Sequence, residues 1–451
     1  MTDFAAQTNA ELRPAKSLYT SDARTKARNA AETRFRVYGI AAIAISLLVL
    51  AIMFWSIFSD GVSAFRQGFL TFPVQITAEL VDPQGQRKRE DMAKITTVTY
   101  GRILEASFAA ELARRGIPVD DVPKKDIAAM ISKEAPGRLR AQTLGDPEAY
   151  VGQSMEMSVF AAGRIDGYLK GRVTKESAIN DSNVTPEQLA LADRLIDAGI
   201  LASAWNSRFL TNPDSSDQRP EAAGLGVAMI GSAYMMLIVL FTCLPVGVAA
   251  SIYLEEFAPK NVLTDIVEVN IANLAAVPSI VYGILGLAIF INFAGFAQSS
   301  SLVGGLVLSL MTLPTIIIAT RASIRAVPPS IRDAALGIGA SKMQTVFHHV
   351  LPLAMPGILT GTILGLASAL GETAPLLLIG MVAFVDNYPG PPVAGFSDPA
   401  TALPVQVFGW ASRADPAFLE RSAGAIIVLL FFLLIMNLTA IILRRRFERR
   451  W

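Results

Sequence analysis

Hydrophobic residues run through this chain in long uncharged segments, and charged residues return between them. The first segment, Gly39 to Phe58, is long enough to cross about 30 Å of hydrocarbon. The uncharged run from Val269 to Thr320 is too long for one helix, and the polar segment 295–301 divides it into two. The other segments are Ala222–Leu254, Pro356–Phe384 and Ser422–Leu443. The pattern predicts an all-α membrane protein with six transmembrane helices.

Residues 59–222 are charged and contain no run long enough to span a membrane. About 160 residues suffice for one small folded domain inserted between the first and second spans. Apolar positions three and four apart predict that this domain is mainly helical. The predicted helices are Thr96–Arg115, Lys125–Arg140, Asp146–Lys170 and Pro186–Phe209, followed by a linker at Asn212–Pro220.

The distribution of positive charge predicts the topology. The net charge is only +1, which argues against a nucleic-acid partner. Lysine and arginine concentrate near the N-terminus, in the loop 321–355 and at the C-terminus, so the positive-inside rule places all three in the cytoplasm. The predicted regions are a mostly disordered cytoplasmic tail (1–38), the first span (39–58), a periplasmic domain (59–222), a permease core (223–443) and a basic cytoplasmic tail (444–451).

The segment Ile331–Pro352, here called the central loop, is polar and lies between two apolar segments. It predicts a short helix, a turn at Gly337 and Gly339, and a second helix that Ser341 caps and Pro352 ends. The predicted apolar positions are Ile331, Ala334, Ala335 and Ile338 in the first helix, and Met343, Val346, Phe347 and Val350 in the second. Such a unit fits a groove on a partner, although an amphipathic loop lying on the bilayer has the same pattern.

Prolines are predicted to interrupt four of the spans, at Pro245, Pro278, Pro314 and Pro375. Helix breaks at membrane depth persist only where protein or a water-lined path satisfies the freed backbone groups. The spans therefore resemble a pathway more than plain anchors.

Glu372 follows a ladder of small residues on the fifth span, Gly357, Gly361, Gly365 and Ala369. It lies about 20° from their stripe, so it is expected to face protein or a pathway rather than lipid. A carboxylate near mid-membrane costs about 2.5–3.5 kcal/mol on insertion scales, which makes Glu372 a candidate for gating. The alternative is a structural glutamate that locks helices together.

Arg321 and Arg325 lie four residues apart on one helical face at the end of the fourth span. Guanidinium groups match phosphate geometry, so the pair can attract an oxyanion in the pathway. Anchoring at the membrane surface, or contact with lipid phosphate, is the favoured interpretation of the pair. The only histidines, His348 and His349, are adjacent and do not face one another on a helix, so no metal site is predicted.

The central loop resembles the EAA loop of ABC importer permeases. Asp333-Ala334-Ala335, then Gly339, then Leu351-Pro352 carry the resemblance, with Asp for the usual Glu and His349 where Ile is common. The resemblance implies that Asp333, Ala334, Ala335, Gly339, Leu351 and Pro352 couple the chain to an ATPase subunit.

Three further segments resemble the phosphate importer permeases, and especially their A-type subunit. They are AVPSIVYG at Ala276–Gly283, ALGETAPLL at Ala369–Leu377 and LPVQ at Leu403–Gln406. The resemblance implies a path shaped by Pro278, Ser279, Glu372 and Thr373, with Arg321 and Arg325 as further candidates. Many members carry arginine four residues before the glutamate, where this chain has Ser368.

The resemblance implies a permease subunit of an ATP-driven importer for inorganic phosphate in the bacterial inner membrane. Its partners would be a homologous permease (PstC-like), an ATPase dimer (PstB-like), a periplasmic phosphate-binding protein (PstS-like) and membrane lipid. The chain lacks a G-x4-G-K-[S/T] loop, so ATP and Mg are expected in the ATPase, with no catalytic residue or cofactor here. The alternatives are an ABC permease for sulfate or molybdate, and an ion-coupled secondary transporter that uses Glu372 as its ion site.

Overall fold

The computed structural model describes residues 23–381 and 384–447. The chain divides into two compact units, Met1–Ser56 and Ile57–Trp451. Helix α1, Ala23–Gly61, contains the predicted first span and begins well before it. The prediction of a disordered tail is therefore wrong for 23–38, where strong helix formers without glycine or proline extend the helix. Residues 1–22 and 448–451 of the predicted tails lie outside the described residues.

The inserted domain is built on a three-stranded antiparallel sheet in the order β2-β1-β3. The strands are β1 (Arg66–Gln75), β2 (Ser154–Phe160) and β3 (Leu201–Trp205). The helices are α2 (Ala78–Val81), α3 (Arg89–Met92), α4 (Thr97–Arg114), α5 (Lys124–Ala128), α6 (Ala135–Gly145), α7 (Pro147–Tyr150), α8 (Gly163–Leu169), α9 (Lys175–Ala178), α10 (Pro186–Asp197) and α11 (Arg208–Thr211). Leu70, Phe72 and Val74 of β1 and the following Ile76 are fully buried. Phe72 packs on Phe108 of α4 with ring centroids 5.1 Å apart.

Three of the four helices predicted for this domain are wrong in part. The helix predicted at 96–115 is confirmed as α4. The one predicted at 125–140 is divided between α5 and α6. Those predicted at 146–170 and 186–209 each contain a strand, because β2 and β3 pair with β1, for example Met157 with Phe72 and Leu201 with Leu70.

The region after the inserted domain is helical and mostly apolar. Its helices are α12 (Gly226–Ile252), α13 (Val262–Ala275), α14 (Ser279–Gly286), α15 (Ser301–Arg325), α16 (Pro329–Gly337), α17 (Lys342–Thr345), α18 (Leu351–Leu370), α19 (Ala374–Leu378), α20 (Leu403–Ala411) and α21 (Pro416–Phe447). Among the described residues, five helices, including α1, are long and apolar enough to cross a membrane. A sixth crossing is possible if α13 and the helix from Ser279 to Phe293, bent by 103°, form one span.

Two of the four prolines interrupt a helix and two do not. Pro278 and Pro375 lie at helix breaks, at the starts of α14 and α19. The predicted interruptions at Pro245 and Pro314 are wrong, because α12 and α15 continue through them. These two helices lie side by side and are joined by hydrogen bonds, including one of 2.6 Å between the Thr242 and Ser309 hydroxyls. Packing of this kind lets a membrane helix tolerate a proline.

Buried charges fix the inserted domain to the start of α21. Glu420 forms ion pairs of 2.8 Å with Lys170 and with Arg172. The fully buried Arg421 donates to the carbonyls of Ala223 (2.6 Å) and Glu221 (2.9 Å), and to Gln67 Oε1 (2.8 Å). Arg421 thereby joins the first strand of the domain, its exit linker and the last long helix.

Arg421→Met is expected to lower the free energy of unfolding by about 3–5 kcal/mol, because it leaves three buried acceptors without a donor. Limited proteolysis of the inserted domain at rising temperature measures this loss. Arg102→Met is the control, since Arg102 is exposed on α4. Equal protease resistance of the Arg421 variant and the control would contradict the assignment.

Glu221 makes the stability of the inserted domain depend on pH. It is 4% exposed, and burial raises the pKa of its carboxyl, which accepts a 2.5 Å hydrogen bond from Ser132. The folded state therefore favours the protonated form of Glu221. The stability that protonated Glu221 contributes is fully present below the pKa of the unfolded chain, about 4.3, and is lost as pH rises through the higher pKa of the folded protein. Glu221→Gln is therefore expected to raise the unfolding temperature at pH 7 and leave it unchanged near pH 4. A lower unfolding temperature at pH 7 would contradict this.

Candidate coupling and translocation sites

The central loop forms the predicted helix–turn–helix. Gly339 has φ +92°, a conformation that glycine adopts without strain. The Ser341 side chain accepts a hydrogen bond from the Gln344 amide and so caps α17, as predicted. The prediction that Pro352 ends the unit is wrong. A π-helical turn at Val346–Val350 leads directly into α18, and this wider turn accommodates a residue without an amide hydrogen.

One side of the central loop packs against the helix ends. Ala335, Val346 and Val350 are buried, in part against Ile252 of α12 and Ile324 of α15. The predicted apolar faces are therefore only partly confirmed, since Ile331 packs on this cluster but Ala334 and Ile338 do not. Of the other predicted coupling residues, Leu351 and Pro352 are half-buried.

The other side of the loop is exposed and largely apolar, and it is here called the exposed loop face. Asp333 and Leu336 of α16 and the following Ile338 form it, and Ile338 is 83% exposed. Among the residues that the structure describes, no ion pair involves Asp333. A packed side combined with an apolar exposed side suits a docking element better than a simple connection.

Arg332 holds the central loop to the helix ends, and sequence reasoning missed it. Its guanidinium lies 2.7 Å from Glu256 and donates to the carbonyls of Val327 (2.7 Å) and Ile324 (2.9 Å). The available signal was the adjacent acids Glu255 and Glu256, just after the predicted second span, on the side of the membrane where the loop 321–355 carries its arginines. The loop is therefore bound to the ends of both α12 and α15.

Arg321 and Arg325 are paired within the chain. Arg321 lies 3.2 Å from Glu255 and 2.5 Å from Glu268, and Arg325 lies 2.5 Å from Glu255. Glu255 and Glu268 were also missed, because they are remote in sequence. In this structure both guanidinium groups form ion pairs with carboxylates, which favours a structural role for the two arginines over an oxyanion site.

The helices that follow the two proline breaks pack against each other. A Cβ on Gly283 of α14 would lie 2.7 Å from Cα of Pro375 in α19, so the two backbones approach closely. Tyr282 of α14 donates a 2.7 Å hydrogen bond to the Leu274 carbonyl of α13 and thus braces the bend. The structure therefore brings the AVPSIVYG and ALGETAPLL segments together. Pro278 is exposed and Ser279 half-buried.

Glu372 lies in the break between α18 and α19. The small-residue ladder packs on α15, where a Cβ on Gly361 would lie 2.3 Å from the Ala319 Cβ. Beyond the ladder, Glu372 and Thr373 are half-buried. Across residues 23–381 and 384–447, the Glu372 carboxylate forms no hydrogen bond or ion pair. Ser368, where many relatives carry arginine, is exposed. This arrangement argues against a glutamate locked between helices.

Two families match different parts of the chain. Residues 22–179 match a domain of unknown function (DUF3333), and residues 243–451 match the binding-protein-dependent transport system inner membrane component. The second match contains the central loop and Glu372, and the first contains most of the inserted domain.

Several curated proteins are similar to the chain. The phosphate transport system permease protein PstA 2 of Mycobacterium tuberculosis is 34% identical over 52% of this chain and 76% of its own length. PstA of Xylella fastidiosa is 31% identical over 50% of this chain and 77% of its own length. The probable ABC transporter permease YqgI of Bacillus subtilis is 35% identical over 39% of this chain, and the match spans 58% of that protein. Among solved structures, the MetNI methionine ABC transporter in an inward-facing conformation aligns at TM-score 0.37 and 14% identity, covering 50% of this chain and 95% of that one.

These matches define the chain as a multi-pass inner-membrane permease component of a binding-protein-dependent ABC importer. In this class a partner subunit carries the ATPase, so the secondary-transporter alternative is disfavoured. Within the class, the chain belongs to the PstA family of permeases.

Proposed function

We propose that this chain is a membrane subunit of an ATP-driven importer for inorganic phosphate and that the central loop couples it to the ATPase. The observation that carries the proposal is the two-sided loop. Its buried side is bound to α12 and α15 by Arg332 and an apolar cluster, while Asp333 and the apolar residues around it are exposed. A partner that pulled on the exposed loop face would therefore move both helices.

Phosphate is proposed as the substrate because the AVPSIVYG, ALGETAPLL and LPVQ segments resemble phosphate permeases and because two similar proteins carry that function in their names. The path would pass the breaks at Pro278–Ser279 and Glu372–Thr373. Arg321 and Arg325 would support the path through their glutamate partners rather than by touching the ion.

The proposed assembly contains a homologous PstC-like permease, a PstB-like ATPase dimer that binds ATP and Mg, and a PstS-like binding protein. Both termini and the central loop would face the cytoplasm, and the 59–222 domain the periplasm, as the positive-inside rule indicates. The buried charges around Arg421 would hold that domain at the external end of α21.

Radiolabelled phosphate uptake in phosphate-starved cells that lack this chain tests the proposal. High-affinity uptake is expected to return when the chain is restored, and sulfate uptake measured in parallel is expected not to change. Restored sulfate uptake with unchanged phosphate uptake would assign another oxyanion to the same permease.

A further inference from the structure

Helix α13 is held to the rest of the molecule by a narrow stripe. None of its residues is buried, and three that are half-buried follow helical spacing: Thr264, Glu268 and Ile271. Glu268 is the charged member of this stripe, and its carboxylate lies 2.5 Å from the Arg321 guanidinium of α15. The Arg321 side chain is 12% exposed and the Glu268 side chain is 34% exposed, so the arginine is the partner that is better shielded from water.

Arg321 is also connected to the central loop. Arg321 Nε lies 3.2 Å from Glu255 in the π-helical turn that ends α12. The next residue, Glu256, is bound by Arg332 of α16 in the central loop. Contacts through the adjacent residues Glu255 and Glu256 therefore connect α16 to Arg321.

Beyond Arg321, the bent pair α13–α14 leads to the Glu372 break. The Tyr282–Leu274 hydrogen bond braces the 103° bend, so the two helices resist opening at Pro278. Just past the bend, Gly283 packs directly on Pro375, three residues after Glu372. This bent pair, here called the α13–α14 lever, therefore connects Arg321 to the break at Glu372.

We propose that Arg321 is a positioning residue for transport: it transmits movement of the central loop through Glu268 to the α13–α14 lever, which opens and closes the path at Glu372. The inference rests on the proposed coupling function and assigns roles to Arg321, Glu268 and Tyr282. A spatial chain of contacts becomes a coupling route only when its members prove to be energetically coupled, so the test is a double-mutant cycle.

The cycle uses the complete transporter in proteoliposomes and measures phosphate taken up per ATP hydrolysed. Arg321→Gln and Glu268→Gln are each expected to lower this ratio about tenfold while ATP hydrolysis continues, and the double variant is expected to fall no further. Asp265→Asn is the matched control, because Asp265 is an exposed acid on the same helix, three residues before Glu268, and forms no ion pair among the described residues. Its ratio is expected to stay near that of the wild type.

Two results would overturn the inference: an unchanged ratio in Glu268→Gln, or losses that add in the double variant. If the Arg321→Gln variant fails to assemble, the Glu268→Gln variant alone decides the test. Its assembly is expected to be normal because Glu268 lies on a helix without buried residues. Thermal stability is measured alongside, because a merely structural ion pair would lower stability and leave the ratio intact.

A second readout does not depend on the transported ion. In a Cys243→Ser background, the Thr373→Cys variant reports opening of the break through the rate at which its thiol is labelled by maleimide. ATP is expected to change this rate about tenfold when Glu268 is intact and to have little effect when Glu268→Gln is added. An equal change of the labelling rate on ATP addition in both complexes would contradict the proposed role of the α13–α14 lever. An ATP response of the labelled complex, together with no phosphate transport by the wild-type complex, would instead refute the proposed substrate.

Discussion

Asp333→Lys is expected to lower ATP-driven uptake at least about tenfold while the chain stays in the membrane. Asp333 is exposed on α16, beside the apolar side chains of Leu336 and Ile338. Reversing a charge within a protein interface costs several kcal/mol where like charges meet, and 1.4 kcal/mol already corresponds to a factor of about ten. The buried side of the loop is untouched, so folding is expected to be normal.

Co-purification of the ATPase with the variant, together with uptake in cells, measures this effect. Asp197→Lys is the control, because Asp197 is an exposed acid at the end of α10 in the inserted domain. The variant should retain less ATPase than the control does. Normal uptake by Asp333→Lys would refute the assignment of the exposed loop face to coupling.

Glu372→Gln is expected to reduce uptake by a similar factor without loss of assembly. The substitution keeps the shape of the side chain and removes its charge from a half-buried position in the helix break. An amide at membrane depth costs less than a carboxylate, so the stability of the variant should be equal or slightly higher. A fall in transport at constant or increased stability is what a gating role requires.

Phosphate uptake and thermal unfolding of the purified complex distinguish the two roles of Glu372. Ser368→Ala, one turn earlier on α18 and exposed, is the control and should leave both quantities unchanged. Impaired assembly of Glu372→Gln with normal uptake per complex would show that the glutamate is structural.

Local features of the membrane region were well predicted from the sequence. Long uncharged segments become helices because a bilayer leaves the backbone few alternatives. The Ser341 cap and the Gly339 turn follow from the chemistry of single residues. The breaks at Pro278 and Pro375 follow from the missing amide hydrogen, but Pro245 and Pro314 show that packing can overcome it.

Features set by distant partners were not predictable in the same way. Strands β2 and β3 are short, and their apolar spacing also fits a helix, so pairing with β1 decides their structure. The ion pairs of Arg321 and Arg325 join residues 66 and 70 positions apart. The sequence suggested two roles for these arginines without naming Glu255, and only the tertiary fold identifies their partners.

The most direct test of the account is ATP-dependent uptake by the complete transporter in proteoliposomes, with phosphate and sulfate as competing ions. The account predicts phosphate uptake that requires ATP and the binding protein and that excess sulfate does not reduce. Phosphate uptake that proceeds without ATP, or ATP-dependent uptake of sulfate in its place, would contradict the account.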